Sequence, residues 1–112
     1  MALRFKRGDT IVIDCVLRDN ATFLTGDVIF FTIKRRLSDA DADALVRLDS
    51  GTGGVTFTDG GSIATATIPP SAFTGLEKTP VVYDWQLVRA GAITTFDSGS
   101  GIIQPDVTIR TT

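Results

Sequence analysis

Carboxylates are the chain's main candidates for chemistry, because the sequence has thirteen acidic residues and no histidine. Three of them, Asp39, Asp41 and Asp43, have the alternating spacing that begins a calcium-binding loop. An EF-type loop also needs a glycine at its sixth position and a glutamate at its twelfth, where this sequence has Ala44 and Ser50. We therefore interpret the segment as a solvated acidic loop or helix start and predict no metal site.

Two further carboxylates, Asp84 and Asp97, could in principle do acid–base work on a sugar, but they stand in no recognisable signature. The single cysteine, Cys15, cannot form an internal disulfide, which fits folding in a reducing cytoplasm. The absence of histidine removes the Ser-His-Asp and Cys-His nucleophiles and nearly all zinc sites. We expect a protein that is not an enzyme, with no catalytic residue and no cofactor.

Two clusters of glycines, at 51–54 and 60–61, raise the question of a phosphate-binding loop. No lysine of the P-loop type follows them, and no βαβ pattern surrounds them. The Asp59-Gly60-Gly61 sequence between two apolar runs is instead typical of a hairpin turn. We interpret both clusters as loop and turn glycines.

Length and composition predict one globular domain that spans residues 1–112. Hydrophobic residues make up 43% of the chain and charged residues 21%, values that argue against disorder. No apolar run approaches the ~20 residues of a membrane helix, and no apolar segment follows the basic N-terminus as in a signal peptide. The net charge of −2 lacks the basic excess of nucleic-acid-binding domains. We expect neither a membrane nor a nucleic-acid partner.

Short β-rich runs separated by turn residues dominate the chain. Seven or eight of them at roughly ten-residue spacing, with at most one or two helical turns, predict an antiparallel β-sandwich, with a closed barrel as the alternative. We expect helical turns at 38–44 and 71–76, and an interruption at 98–101 before a short 102–103 run. The expected strands are 10–17, 28–35, 44–49, 55–58, 62–68, 81–89, 93–97 and 107–110.

The stretch VYDWQLVR, residues 82–89, contains the only tyrosine and the only tryptophan of the chain. Alternation along a strand sends successive side chains to opposite faces. We expect the inward set to be Val81, Tyr83, Trp85 and Leu87, and the outward set to be Val82, Asp84, Gln86 and Val88. The two aromatic residues are therefore interpreted as core residues and not as a binding platform.

The order of short motifs along residues 4–109 carries a family resemblance. The motifs are FKRGDT (5–10), LTG (24–26), DALV (43–46), GVTFT (54–58), IPP (68–70), VYDWQL (82–87) and QPDVT (104–108). This ordered set resembles the immunoglobulin-like proteins of tailed bacteriophages and prophages. It is similar in particular to the N-terminal domain of baseplate upper proteins and to related tail or virion accessory proteins.

The resemblance implies an immunoglobulin-like β-sandwich that is a structural protein of a virion, either in the tail or baseplate or as an accessory or decoration subunit. It would be made in the bacterial host cytoplasm and located in the virion. Its partners would be other virion structural proteins and, within the particle, further copies of itself. The family has no shared catalytic residues to carry over to this chain.

The sequence also suggests where such contacts lie. Val12 and Val16 on one strand, and Val28 and Phe30 on another, are apolar residues on faces expected to point outward. If the two strands pair, the four side chains form one exposed patch of the kind that marks protein–protein contact; the alternative is that loops or the chain termini cover it. The alternative function is a carbohydrate-binding or host-surface adhesion module, which would have exposed aromatic residues in a groove.

Overall fold

The computed structural model describes residues 3–6, 10–36, 38, 43–73 and 78–104. In this part of the chain eight strands are present, together with one 3-10 turn at Pro70–Phe73. The strands are β1 (Leu3–Lys6), β2 (Ile11–Val16), β3 (Val28–Lys34), β4 (Val46–Asp49), β5 (Val55–Phe57), β6 (Ile63–Ile68), β7 (Thr79–Arg89) and β8 (Ala92–Gln104).

The strands form two sheets that share one core. The five-stranded sheet has the order β1-β8-β7-β3-β4, and the three-stranded sheet has the order β2-β6-β5. Buried side chains from both sheets, such as Phe31 and Trp85 on one and Ala64 and Ile68 on the other, belong to a single cluster. The predicted all-β fold is confirmed, and its two layers are those of a β-sandwich.

Several expectations about individual strands are wrong. The run at 98–101 does not interrupt a strand, because β8 continues through it to Gln104 and pairs with β7 along its length. The ladder of β7 satisfies the backbone there, so the weak strand propensity of Gly and Ser is overridden. Strand β4 begins at Val46, two residues later than expected. The predicted strand at 107–110 and most of the predicted turn at 38–44 lie outside the described residues.

The first strand is a further correction to the predicted antiparallel architecture. Residues 3–6 were not expected to form a strand, yet β1 pairs with β8, and the pairing is parallel. Phe5 on β1 is 1% exposed and its ring lies 6.0 Å from that of Phe73. One buried phenylalanine in a four-residue strand gives too short an alternation to be recognised in the sequence.

A β-bulge changes the phase of β8. Trp85 pairs with Asp97 but the next residue, Gln86, pairs with Thr95, so Phe96 is the extra residue. The ring of Phe96 lies 6.0 Å from that of Trp85, on the core side. The bulge therefore directs both Phe96 and the neighbouring Asp97 toward the interior.

Eight of the nine aromatic residues form a continuous chain of ring contacts through the core. Phe31 and Trp85 are the closest pair, with ring centroids 4.6 Å apart. Such contacts add about 0.5–1.5 kcal/mol per pair beyond the area that they bury. In order, the chain is Phe73, Phe5, Tyr83, Phe31, Trp85, Phe96, Phe23 and Phe57. The inward assignment of Tyr83 and Trp85 is thereby confirmed.

Candidate protein-contact surfaces

The four residues predicted to form one contact patch lie on two different sheets. Val12 and Val16 are on β2, which pairs with β6, whereas Val28 and Phe30 are on β3, which pairs with β4 and β7. Because β2 and β3 do not pair with each other, the condition for a single patch is not met. The two pairs of side chains point outward from opposite layers of the sandwich.

Val28 and Phe30 belong to an apolar area on the outer face of the five-stranded sheet. Val28 pairs with Val88, and Val88 pairs with Ile93, so the three aliphatic residues form one row across β3, β7 and β8. Phe30 lies two residues further along β3, beside this row. Ile93 is 67% exposed, and the other three side chains are partly exposed. We call Val28, Phe30, Val88 and Ile93 the β3–β7–β8 patch.

Charged side chains border this patch on the side of β4. A shallow depression of about 540 Å³ contains Phe30, Val88 and Ile93 together with residues of the neighbouring strands. Arg47 and Asp49 on β4 form one side of it, and Asp49 is the cross-strand partner of Phe30. An apolar centre with a charged border is the usual anatomy of a protein–protein contact surface.

The outer face of the three-stranded sheet has a narrower apolar stripe. Val12 is 61% exposed, Val16 is 57% exposed, and Ile63, the cross-strand partner of Val16, is 50% exposed. Between the valines lies Asp14, whose Oδ1 accepts a hydrogen bond from Thr65 Oγ1 at 2.7 Å. We call Val12, Val16 and Ile63 the β2–β6 stripe.

A groove of about 580 Å³ occupies the other end of the five-stranded sheet's outer face. The small side chains of Ser98 and Ser100 on β8 and the side chain of Val82 on β7 line it. Lys34 and Asp84 bring charged groups to the same groove. Its lining is mostly apolar, with hydroxyl and charged groups beside that apolar surface.

The residues considered for acid–base chemistry do not meet. Asp84 pairs with Ser98 and lines the outer groove, whereas Asp97 pairs with Trp85 and faces the other sheet. The two carboxylates therefore lie on opposite faces of one sheet. The run Asp39–Asp43 lies mostly outside the described residues, and no cluster of three or more possible metal ligands occurs among the residues that are described.

Asp97 instead contacts the single cysteine. Cys15 Sγ donates a hydrogen bond to Asp97 Oδ2 at 3.4 Å, across the gap between the two sheets. Burial, the hydrogen bond and the negative charge of Asp97 raise the pKa of the Cys15 thiol to about 12. Burial and the same carboxylate also raise the pKa of the Tyr83 phenol. A thiol with this pKa is protonated at neutral pH and is a poor nucleophile.

Three members of the two apolar areas were not among the predicted contact residues. Val88 was recognised as outward-facing but was not connected with Val28, because only the register of β3 and β7 makes them neighbours. Ile93 and Ile63 are single apolar residues in polar surroundings, and their exposure depends on which strands pair. A Val or Ile at an outward position of a strand was the only signal in the sequence.

No protein-family model matches the sequence, and no curated protein matches it either. None of the helical structure among the described residues is long and apolar enough to span a membrane.

Proposed function

We propose that this chain is a non-enzymatic structural subunit of a bacteriophage virion, in the tail or baseplate or as an accessory or decoration protein. The observation that carries the proposal is the position of Phe30. It is the one aromatic residue outside the core chain of rings, and it lies on an outer face beside Val28, Val88 and Ile93. A contact with a neighbouring virion protein would account for an exposed apolar patch at this position.

The strand arrangement supports an immunoglobulin-like fold. If the eight strands are assigned in order to A, B, C, C′, D, E, F and G, the sheets become B-E-D and C′-C-F-G, with A beside G. This division resembles that of a variable-type immunoglobulin domain, with two differences: the first strand lies beside G, and the described residues contain no C″ strand. Cys15 and Trp85 then occupy strands B and F, where antibody domains have their disulfide, and Tyr83 stands two residues before Trp85.

The chemistry of the polar residues supports a role without catalysis. The thiol of Cys15 is buried and protonated, and it is hydrogen-bonded to Asp97. Asp84 and Asp97 lie on opposite faces of a sheet and cannot flank one scissile bond. The sequence has no histidine to serve as a base.

The two apolar areas also support a role in assembly. The β3–β7–β8 patch and the β2–β6 stripe lie on opposite outer faces of a domain of 112 residues. One face can therefore contact one neighbour while the opposite face contacts another. Contacts of this kind build rings or extended arrays, which are the assemblies of a virion.

The experiment is to purify phage particles from cells that produce the protein and to quantify it in them by mass spectrometry. We expect a fixed stoichiometry for the natural chain and loss of at least about 90% of it for Phe30→Asp, because a buried unpaired charge costs several kcal/mol. Asn20→Asp adds a negative charge in an exposed turn outside both apolar areas and should be incorporated normally. A folded Phe30→Asp protein that joins the particle normally would contradict the role of the patch. Absence of the natural chain from particles would contradict the virion role.

The groove on the five-stranded sheet favours a second candidate, a host-surface glycan-binding module. Its hydroxyl and charged side chains could bind a sugar, although the only tryptophan is 1% exposed and cannot form a stacking platform. In an amide NMR spectrum, host cell-wall polysaccharide should then shift the signals of Ser98 and Ser100 and leave those of β5 unchanged. Unshifted spectra would dismiss this candidate.

A further inference from the structure

The turn between β5 and β6 contains the only Asp-Gly sequence of the chain, Asp59-Gly60. Aspartate followed by glycine is the dipeptide most prone to spontaneous isomerisation, because glycine has no Cβ to hinder attack by its own backbone nitrogen. Asp59 and Gly60 are both exposed, so water and protons reach them. The residue types alone therefore indicate a chemically labile point in this turn.

The isomerisation joins two groups of the same turn. Gly60 N attacks Cγ of the protonated Asp59 carboxyl group, and the new C–N bond closes a five-membered succinimide ring. The amide hydrogen leaves with the carboxyl hydroxyl as water. A second water then adds to the backbone carbonyl of Asp59, and the bond from that carbon to Gly60 N breaks. The product is isoaspartate, in which the chain continues through the side-chain carboxyl and the mass is unchanged.

In the folded chain, the attacking nitrogen is already a hydrogen-bond donor. Gly60 N donates to Phe23 O at 2.9 Å, and Phe23 N donates in return to Gly61 O at 2.8 Å. Gly61 N donates to Thr58 O at 2.8 Å, which closes the turn itself. A backbone amide that is held in this way reacts only when its surroundings open locally, as in hydrogen exchange.

The core of the sandwich fixes the residue that accepts this hydrogen bond. Phe23 is 0% exposed, and its ring lies 5.2 Å from that of Phe57 and 6.2 Å from that of Phe96. The carbonyl of Phe23 can therefore move away from Gly60 N only if a buried ring shifts or the turn itself swings outward. Both movements disrupt contacts of the folded state.

The carboxyl group that would be attacked is held from the same corner of the chain. Thr25 Oγ1 donates a hydrogen bond to Asp59 Oδ2, although the two residues are 34 positions apart in the sequence. This bond restrains the rotation of the carboxyl group that ring closure requires. Both reacting groups are thus hydrogen-bonded to the corner formed by residues 23–25.

We infer that Asp59-Gly60 is a latent site of spontaneous aspartate isomerisation, which the folded chain keeps unreactive by bonding Gly60 N to Phe23 O and Asp59 Oδ2 to Thr25 Oγ1. Reaction at this site follows local opening of the β5–β6 turn away from the 23–25 corner. Isoaspartate adds a carbon atom to the path of the backbone, so Gly60 N is displaced from Phe23 O. The modification, once formed, therefore prevents the turn from closing again in its original geometry.

The first test compares the folded chain with the same chain in denaturant, at one pH and one temperature. After protease digestion, chromatography separates the two peptides of equal mass that contain aspartate or isoaspartate at position 59. We expect isomerisation to be slower in the folded chain by at least about tenfold, because only the open fraction of the molecules reacts. Equal rates in the two states would overturn the inference.

The second test changes the side chain that holds the carboxylate. Thr25→Val removes the hydroxyl donor at an exposed position and keeps the branched shape, whereas Thr25→Ser keeps the donor and is the matched control. In the folded state Thr25→Val should isomerise about threefold or more faster than the natural chain, and Thr25→Ser at close to the natural rate. Valine and serine variants with equal rates would contradict the role of the hydroxyl group.

Amide hydrogen exchange, measured by NMR, distinguishes local opening of the turn from general loss of stability. In Thr25→Val the Gly60 amide should exchange faster, while the Trp85 amide, in the central strand of its sheet, should exchange as in the natural chain. Faster exchange of both amides by the same factor would attribute the effect to global unfolding and would overturn the local clamp. These experiments use the purified chain alone, so their outcome is independent of the proposed virion role.

Discussion

Arg89 donates two hydrogen bonds to the carboxylate of Asp27, from Nε to Oδ1 at 3.0 Å and from Nη2 to Oδ2 at 2.8 Å. The Asp27 side chain is only 2% exposed, and its Oδ2 also accepts Leu24 N at 2.8 Å. Arg89 Nη2 reaches the carbonyl of Thr22 at 3.0 Å as well. Two residues 62 positions apart thus fix the corner before β3 to the last residue of β7.

Asp27→Asn should lower the free energy of unfolding at pH 7 by about 1–3 kcal/mol, because it leaves buried hydrogen-bonding groups poorly paired. The hydrogen bond from Arg89 holds the pKa of Asp27 below its ordinary value. A carboxyl group with a lowered folded-state pKa stabilises the protein above its unfolded pKa of about 3.9, and this contribution is lost as the pH falls further. Denaturant titrations at pH 7 and pH 3 should therefore give a smaller difference between variant and natural chain at pH 3.

The matched control for that substitution is Asp19→Asn, in an exposed turn. Asp19 has a φ of 59°, a conformation that asparagine also adopts readily. Its unfolding free energy should change by less than about 0.5 kcal/mol. Equal stability of Asp27→Asn and the natural chain at pH 7 would show that the ion pair contributes nothing.

Gly99→Ala should destabilise the fold by about 1–3 kcal/mol through overpacking. A Cβ at this position would lie 2.6 Å from Tyr83 Oη and 2.8 Å from its Cζ. The comparison is Gly51→Ala, whose Cβ would have its nearest neighbour, Asp49 Oδ1, at 3.4 Å. The melting temperatures of the two alanine variants test this difference. In a Tyr83→Ala background, which lacks the ring, Gly99→Ala should lower the stability of the fold by less. Equal melting of the two alanine variants would contradict this account of Gly99.

The Cys15 thiol should react slowly with a thiol reagent at pH 8 and rapidly once the chain is unfolded in denaturant. The pKa of the thiol is raised to about 12, mainly by burial and to a smaller extent by Asp97. Asp97→Asn removes the negative charge, so it should lower this pKa and speed labelling of the folded protein. Because the folded-state pKa is raised above the unfolded value of about 8.5, this group's contribution to stability should decrease as the pH rises from about 9 toward 12. Fast labelling of the folded natural chain would contradict the environment described for Cys15.

The alternation of side chains along β3 and β7 correctly predicted which face of each strand is buried. The inward positions Ile29, Phe31 and Ile33 on β3 are fully buried, and Trp85 on β7 is 1% exposed. A two-residue period directly reports which side of a strand must meet the core. The same two-residue period did not predict the full length of β8. Its glycines and serines have weak strand propensity, and the bulge at Phe96 shifts the alternation of its side chains.

The sequence alone therefore determined that the chain is all-β and which side of its main strands is buried, while the choice between a sandwich and a closed barrel came from the two sheets of the structure. Only the tertiary structure decided that β2 and β3 belong to different sheets, so that Val12 and Val16 are separated from Val28 and Phe30. It alone connected Val28 with Val88 and Ile93. The physical reason is that alternation arises from each strand's own backbone, whereas strand pairing arises from contacts between segments far apart in the chain.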